Sequence, residues 1–228
     1  MSDIFHEVDE EVRRDKAVEF WKKYQNVVIA AAVLLVIGTA GWRFYQYRQT
    51  AAEQAAGAAF QQALALDRDG KDAEASAAFA KLATDGTRGY QTLARLSEAA
   101  VKSKTDPKAA IAAYDALAND ASIGAPFQQV ARLRGALLRL DAGETDAAKS
   151  ALEGLAGDDG VYRSTARLAL AVIALKAGDY DGAGKSLDLV VADPAAPEDE
   201  RHSAESLLGL VAANRPAASP PATPPAAK

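Results

Sequence analysis

The chain has 228 residues, of which 49% are apolar and 25% are charged, a balance typical of folded rather than disordered proteins. Its net charge of -5 argues against a nucleic-acid-binding protein, which needs a basic surface to neutralise phosphates. The absence of cysteine excludes disulfides, thiolate zinc sites and thiol catalysis.

Residues 1–26 form a charged lead with a helical period. Ile4, Val8 and Val12 recur every four residues with charged residues between them, which is the spacing of one face of an α-helix. Two interpretations stay open at this point. The lead is either a short amphipathic helix that touches a membrane surface or a partner, or a solvated segment that precedes the next element.

Residues 27–41 form an uncharged apolar run, VVIAAAVLLVIGTAG. Fifteen helical residues extend about 22 Å, which is short of the hydrocarbon core of about 30 Å. Aromatic and basic flanks extend the run, because such side chains sit among lipid headgroups. We therefore predict a transmembrane helix over residues 27–47, anchored by Val27, Leu34, Leu35, Ile37, Gly41, Trp42 and Arg43.

This apolar run has two other interpretations. The core helix of a soluble domain usually carries a polar stripe, and the run has none. A cleaved signal peptide would use the small residues Gly38, Thr39 and Ala40 as its cleavage region, but a lead of 26 residues is too long and too acidic for an ordinary signal peptide.

The orientation of the span follows from the basic residues on its two sides. Five lysines and arginines lie close before the run, whereas only Arg43 and Arg48 follow it before Arg68. The more basic side of a span stays in the cytoplasm. We therefore predict a cytoplasmic N-terminus, and in a bacterium this places the rest of the chain in the periplasm.

A unit of 35 to 38 residues is repeated after the span. In each copy a small residue is followed four positions later by a large apolar one and three positions after that by another, so that all three share one helix face. The four copies align without a gap: GKDAEASAAFAKLATD (70–85), TDPKAAIAAYDALAND (105–120), GETDAAKSALEGLAGD (143–158) and GDYDGAGKSLDLVVAD (178–193).

Another helix precedes each of the last three copies, with an aromatic-x3-Ala-Arg-Leu pattern that begins at Tyr90, Phe127 and Tyr162. A single helix pair cannot bury its apolar face, so consecutive pairs must stack. The predicted fold class is all-α: one transmembrane helix, then a right-handed solenoid at residues 50–214 with about four helix pairs and a capping helix at residues 197–214. The Pro/Ala-rich residues 215–228 are predicted to be disordered.

The segment AGDYDGA (177–183) resembles the turn and second-helix start of a tetratricopeptide repeat. The pattern of a small, an aromatic and an apolar residue is similar to the second helix of that repeat. The first helices depart from it, since they carry Ala-Arg-Leu instead of the usual Trp and Leu-Gly pair. Ala136 and Ala171 do keep a small residue near the Gly position.

The whole layout, with GWRFY (41–45) at the end of the span, resembles the bacterial inner-membrane family of ancillary Sec translocon subunits. This resemblance implies a membrane-anchored, periplasm-facing protein-binding scaffold or co-chaperone. Its implied partners are the Sec translocon, a membrane-anchored periplasmic chaperone and secreted clients. An adaptor for envelope assembly or cell division is the alternative function, and an enzyme with an unrecognised site is the third.

No catalytic or metal-binding pattern is visible in the sequence. His6 lacks the second histidine of a zinc protease motif, and His202 lies among glutamates on a helix that is expected to be exposed. Residues 67–74 resemble a calcium loop, but the glycine comes two positions early. We therefore predict no enzyme activity, no catalytic residue, no metal, no cofactor and no small-molecule substrate.

Three arginines, Arg95, Arg132 and Arg167, recur at the same place on successive first helices. If first helices line a groove, these side chains form a basic ladder that binds acidic or C-terminal groups of a partner. In the other interpretation, each arginine is structural, pairs with a carboxylate of the adjoining helix and packs its stem.

Overall fold

A computed structural model describes residues 3–157 and 159–214, with side chains from residue 18 onward within those ranges except that of residue 19. The described residues are almost entirely helical and contain no strand. The α-helices are α1 (Asp3–Arg68), α2 (Asp72–Asp85), α3 (Arg88–Lys102), α4 (Pro107–Ala118), α5 (Ala125–Asp141), α6 (Thr145–Glu153), α7 (Arg163–Lys176), α8 (Tyr180–Val191) and α9 (Glu198–Asn214), and a 3-10 turn covers Ala121–Ile123. The all-α prediction is confirmed.

Helix α1 is continuous from Asp3 to Arg68, so the lead, the apolar run and the start of the repeat region belong to one helix. The chain divides into two compact units, residues 1–55 and residues 56–228. Within the first unit the lead is helical from residue 3. The predicted apolar face consists of Ile4, Val8 and Val12, whose side chains are outside the part of the chain that the structure describes.

The second unit is built from consecutive helix pairs. The pairs are the last part of α1 with α2, α3 with α4, α5 with α6, and α7 with α8, and neighbouring helices pack against each other along the chain. We call the members of each pair its first and second helix. Turns of three or four residues (69–71, 103–106, 142–144 and 177–179) join them, so the two helices of each pair run antiparallel.

Glycine permits three of these turns. Gly70, Gly143 and Gly178 have φ angles of 73°, 83° and 77°, a left-handed conformation that strains other residues. The second pair uses a different device. Asp106 caps α4 by accepting a hydrogen bond from the Ala109 backbone N–H at 3.0 Å, and Pro107 is the first helical residue.

The repeated apolar positions form the core of the second unit, as the spacing predicts. The small residues of the four copies are fully buried, and the large residues that follow are at most 6% exposed. They are Ala75, Ala110, Ala148 and Ala183; Phe79, Tyr114, Leu152 and Leu187; and Leu82, Leu117, Leu155 and Val190. Small residues let neighbouring helices approach, and the large ones fill the space between pairs.

Helix α9 closes the last pair. Its buried residues Ala204 and Val211 pack with Leu187 and Val190 of α8, while most of its remaining side chains are exposed. A terminal helix with a polar outer face is what a stack of helix pairs needs at its end. The capping-helix prediction is therefore confirmed. The prediction of disorder for residues 215–228 lies outside the described residues.

Candidate interaction surfaces

The apolar part of α1 is exposed along its length. A segment within Phe20–Arg68 has a mean hydropathy of 2.0, and none of it is buried. Among the predicted anchor residues, Leu34 is 70% exposed, Leu35 67% and Trp42 64%. The polar Thr39 donates its hydroxyl to backbone carbonyls of its own helix at 2.9 and 3.0 Å. The segment is therefore long and apolar enough to cross a membrane.

Cations and aromatic rings lie together at both ends of this segment. The Lys23 ammonium lies 5.6 Å from the centre of the Tyr24 ring, and the Arg48 guanidinium lies 5.8 Å from the centre of the Phe44 ring. Trp42, Phe44 and nearby tyrosines are all exposed. Such rings, with long cationic side chains beside them, suit the boundary between hydrocarbon and headgroups.

Two of the three predicted arginines meet at the C-terminal end of α4. Arg95, from α3, pairs with Asp120 at 2.6 Å, and Arg132, from α5, lies 3.5 Å from the Ala118 carbonyl. The end of a helix carries unsatisfied carbonyls and partial negative charge, which favours cations. Hydrogen bonds from the Ser122 hydroxyl and then from Arg95 lower the pKa of Asp120 to about 2.

The third arginine is buried between two other helix ends. Arg167, on α7, is 6% exposed and donates from Nε to the Ala156 carbonyl at 2.9 Å, beyond the end of α6. Its Nη1 lies 3.5 Å from the Leu189 carbonyl in the last turn of α8, and 3.9 Å from the Asp193 carboxylate. Arg167 thus links the ends of two successive second helices.

Arg163 takes part in the same cluster, although the sequence did not single it out. It holds the Asp193 carboxylate through two nitrogens, at 2.5 and 2.8 Å. These hydrogen bonds, with that of the Ala195 backbone N–H, lower the pKa of Asp193 to about 2. The sequence does contain a signal for this contact, because each aligned copy ends in an aspartate that an arginine can pair with. Asp120 and Asp193 both accept from arginines, whereas Asp158 lies outside the described residues.

The recurring arginines therefore lie at the ends of second helices, where they satisfy carbonyls and carboxylates of the fold. Arg167 is enclosed and Arg95 is paired, while Arg132 is exposed. Arg95 and Arg167 lie within ion-pair distance of carboxylates, as the structural interpretation expects, whereas Arg132 pairs with no carboxylate among the described residues. Recognition of a partner by these three residues stays a prediction.

Acidic side chains of the stretch 67–74 and the His202 side chain have partners within the fold. Lys104 donates to Asp67 at 2.7 Å and to Asp72 at 2.9 Å, and these two carboxylates raise the pKa of Lys104. His202 lies 3.4 Å from Glu205 and 3.7 Å from Glu198 on the exposed side of α9. In the ranges that the structure describes, no group of three histidines or carboxylates is arranged to hold a metal ion.

A cleft on the second unit was not predicted from the sequence. It has a volume of about 250 Å³ and lies between α3 and α5, with Tyr114 of α4 among its lining residues. Arg134 and Asp141, both on α5, also line it. The sequence analysis noted Arg132 because it recurs in register, whereas Arg134 has no counterpart in the repeat pattern.

A comparison with models of protein families identifies the family of the chain. Residues 18–159 match the model of the tetratricopeptide repeat-like domain. The chain belongs to this family. Comparisons with curated proteins and with solved structures found no match.

The tetratricopeptide repeat-like assignment agrees with the helix pairs and extends the resemblance of the second helices to most of the chain. The match includes the exposed apolar segment and the first three pairs, and helices α7 to α9 continue the same burial pattern beyond it. Domains of this kind are typically non-catalytic scaffolds for protein–protein interaction. The coarse function of the chain is therefore a protein-binding scaffold.

Proposed function

We propose that the chain is a single-pass protein of the bacterial inner membrane that serves the Sec translocon as a scaffold or co-chaperone. Its N-terminus lies in the cytoplasm and its helix pairs lie in the periplasm. There they bind a membrane-anchored periplasmic chaperone or secreted clients. The GWRFY junction at residues 41–45 carries the resemblance to ancillary translocon subunits.

One observation supports this proposal most directly. The exposed apolar segment and the first helix of the first pair belong to the same α-helix, α1, and none of the apolar segment is buried. Exposed apolar surface of this extent is costly in water and is stable in a bilayer or against another protein. The basic residues before the segment favour a cytoplasmic N-terminus.

The orientation is tested with alkaline phosphatase fused after Lys228, because this enzyme is active only in the periplasm. We expect phosphatase activity in intact cells. The matched control fuses a reporter that fluoresces only in the cytoplasm at the same position, and it should be dark. An inactive phosphatase together with a bright reporter would show that the proposed orientation is wrong.

The partner is tested by purifying the tagged chain from membranes in mild detergent and identifying the proteins that come with it by mass spectrometry. The control replaces residues 27–41 with a leucine-rich span of equal length and keeps both flanks. Small residues such as Gly38 and Gly41 allow close helix contacts, which a leucine-rich span removes. Translocon components that are lost with the control support the proposal. Soluble envelope proteins alone would favour the adaptor for envelope assembly or cell division.

A further inference from the structure

Apolar side chains form part of the lining of the cleft between α3 and α5. Ala100 of α3 and Leu137 and Leu138 of α5 line it together with Tyr114. Small-molecule sites usually have about 300–1,000 Å³, whereas a cavity of about 150 Å³ already holds benzene. A cleft of about 250 Å³ is therefore suited to one large apolar side chain rather than to a whole cofactor or drug-sized ligand.

Two oppositely charged side chains at this cleft have no partner among the described residues. Arg134 and Asp141 both line it, and neither makes a hydrogen bond or ion pair with any residue that the structure describes. They are seven residues apart on α5, which is about 10 Å along the helix axis. Arg139, between them in sequence, is instead paired with Asp115 at 2.5 Å. The cleft thus offers a cation near one end and a carboxylate near the other.

Tyr114 adds a polar group to the cleft. The residue is 3% exposed, and its hydroxyl makes no hydrogen bond with any residue that the structure describes. The hydroxyl itself is not fully buried, so water can satisfy it in the free protein. Because Tyr114 lines the cleft, an occupant can replace that water as the partner of the hydroxyl.

We propose that this cleft binds an extended segment of a partner protein in which one large apolar side chain lies two residues from an acidic residue and two residues from a basic one. In an extended chain, alternate side chains share a face, so all three can point into the cleft. The two charges are then about 13 Å apart, which their flexible side chains can match to Arg134 and Asp141. This inference rests on the proposed protein-binding function.

The probe is a fluorescein-labelled peptide, Gly-Glu-Ser-Phe-Ser-Lys-Gly, titrated with the full chain in detergent micelles and followed by fluorescence anisotropy. We expect about tenfold weaker binding, or about 1.4 kcal/mol, when alanine replaces the phenylalanine, because the complex then buries less apolar surface. Glutamine in place of the glutamate should weaken binding about threefold, in the range of partly exposed ion pairs.

The matched variants are Arg134→Gln and Arg88→Gln, which change the same residue type at exposed positions, and Arg88 of α3 does not line the cleft. Arg134→Gln should weaken binding of the parent peptide about threefold. The Arg134→Gln chain should bind the peptide that carries glutamine as well as it binds the parent peptide, because both changes remove the same ion pair. Arg88→Gln should leave binding unchanged. Tyr114→Phe keeps the ring in the core and should also weaken binding, with an unchanged melting temperature.

Equal effects of Arg134→Gln and Arg88→Gln would overturn the proposed recognition in the cleft. Peptide binding that is unchanged when alanine replaces the phenylalanine would also overturn it. The same variants are then used in the purification from membranes. If translocon components accompany the parent chain while the parent chain binds no peptide, the cleft inference is wrong and the proposed function stands. If peptide binding follows the expected pattern and no translocon component is captured, the cleft inference stands and the proposed partner is wrong.

Discussion

Replacing Arg167 with glutamine separates a structural role from a recognition role for the recurring arginines. Arg167 is 6% exposed and donates to the Ala156 carbonyl at 2.9 Å, with the Leu189 carbonyl at 3.5 Å and Asp193 at 3.9 Å. Arg132 provides the matched control, because it is exposed and has one long contact of 3.5 Å.

The expected cost follows from these contacts. A hydrogen bond that involves a charged group contributes about 1.5–3 kcal/mol, and the bond to Ala156 has ordinary length and falls in this range. The 3.5 Å contact with Leu189 adds little, and Asp193 keeps its two hydrogen bonds from Arg163. Arg167→Gln should therefore lower the free energy of unfolding by about 2–3 kcal/mol. Arg132→Gln should lower it by less than about 0.5 kcal/mol.

The assay is guanidinium unfolding of the full chain in detergent micelles, followed by circular dichroism, with capture of partners measured on the same preparations. A loss for Arg167→Gln as small as that for Arg132→Gln would refute the structural role. Loss of partner capture by an exposed-arginine variant such as Arg132→Gln, with unfolding unchanged, would instead establish the basic ladder.

Three further predictions test the fold. Leu152 is fully buried and Leu210 is half exposed, so Leu152→Ala should cost about 3–5 kcal/mol in unfolding free energy and Leu210→Ala less than about 1; equal costs in denaturant titrations would contradict the packing of α6. The lowered pKa of Asp193 means that its pairing stabilises the fold fully above about pH 4 and that this contribution disappears as the pH falls towards 2. Asp193→Asn should therefore show a flatter loss of stability than the parent chain over this interval, and parallel pH curves would exclude the linkage. Gly143 has a φ of 83° and open space around an added methyl group, so Gly143→Ala should cost about 1–2 kcal/mol of backbone strain. Gly209 lies within α9 in similar open space, so Gly209→Ala should stabilise by up to about 1 kcal/mol, and thermal shifts of the same sign would argue against the left-handed turn.

The core could be predicted from the sequence because it depends on local geometry. Residues at i, i+4 and i+7 share one face of a helix, and an apolar face must be covered. Ala110, Tyr114 and Leu117 satisfy this spacing, and all three are buried. The apolar run of α1 could be recognised in the same way, since composition and length alone make it long enough to span a membrane.

The partners of charged side chains could not be predicted in this way, because they depend on which helix end lies nearby. Arg167 reaches Ala156, eleven residues earlier, and approaches Asp193, which follows it by 26 residues. The repeat pattern shows that the arginine recurs, but it contains no information about the carbonyl or carboxylate that receives it.

The sequence by itself determined the helix pairs, their buried faces and the exposed apolar segment, all of which follow from the helical period and the hydrophobic effect. Only the tertiary structure decided which charges remain available for a partner. Arg132 and Arg134 are two residues apart and therefore project to nearly opposite sides of α5, at about 100° per residue. One lies near the end of α4 and the other lies at the cleft, and the difference arises from the neighbouring helices, not from the arginines themselves.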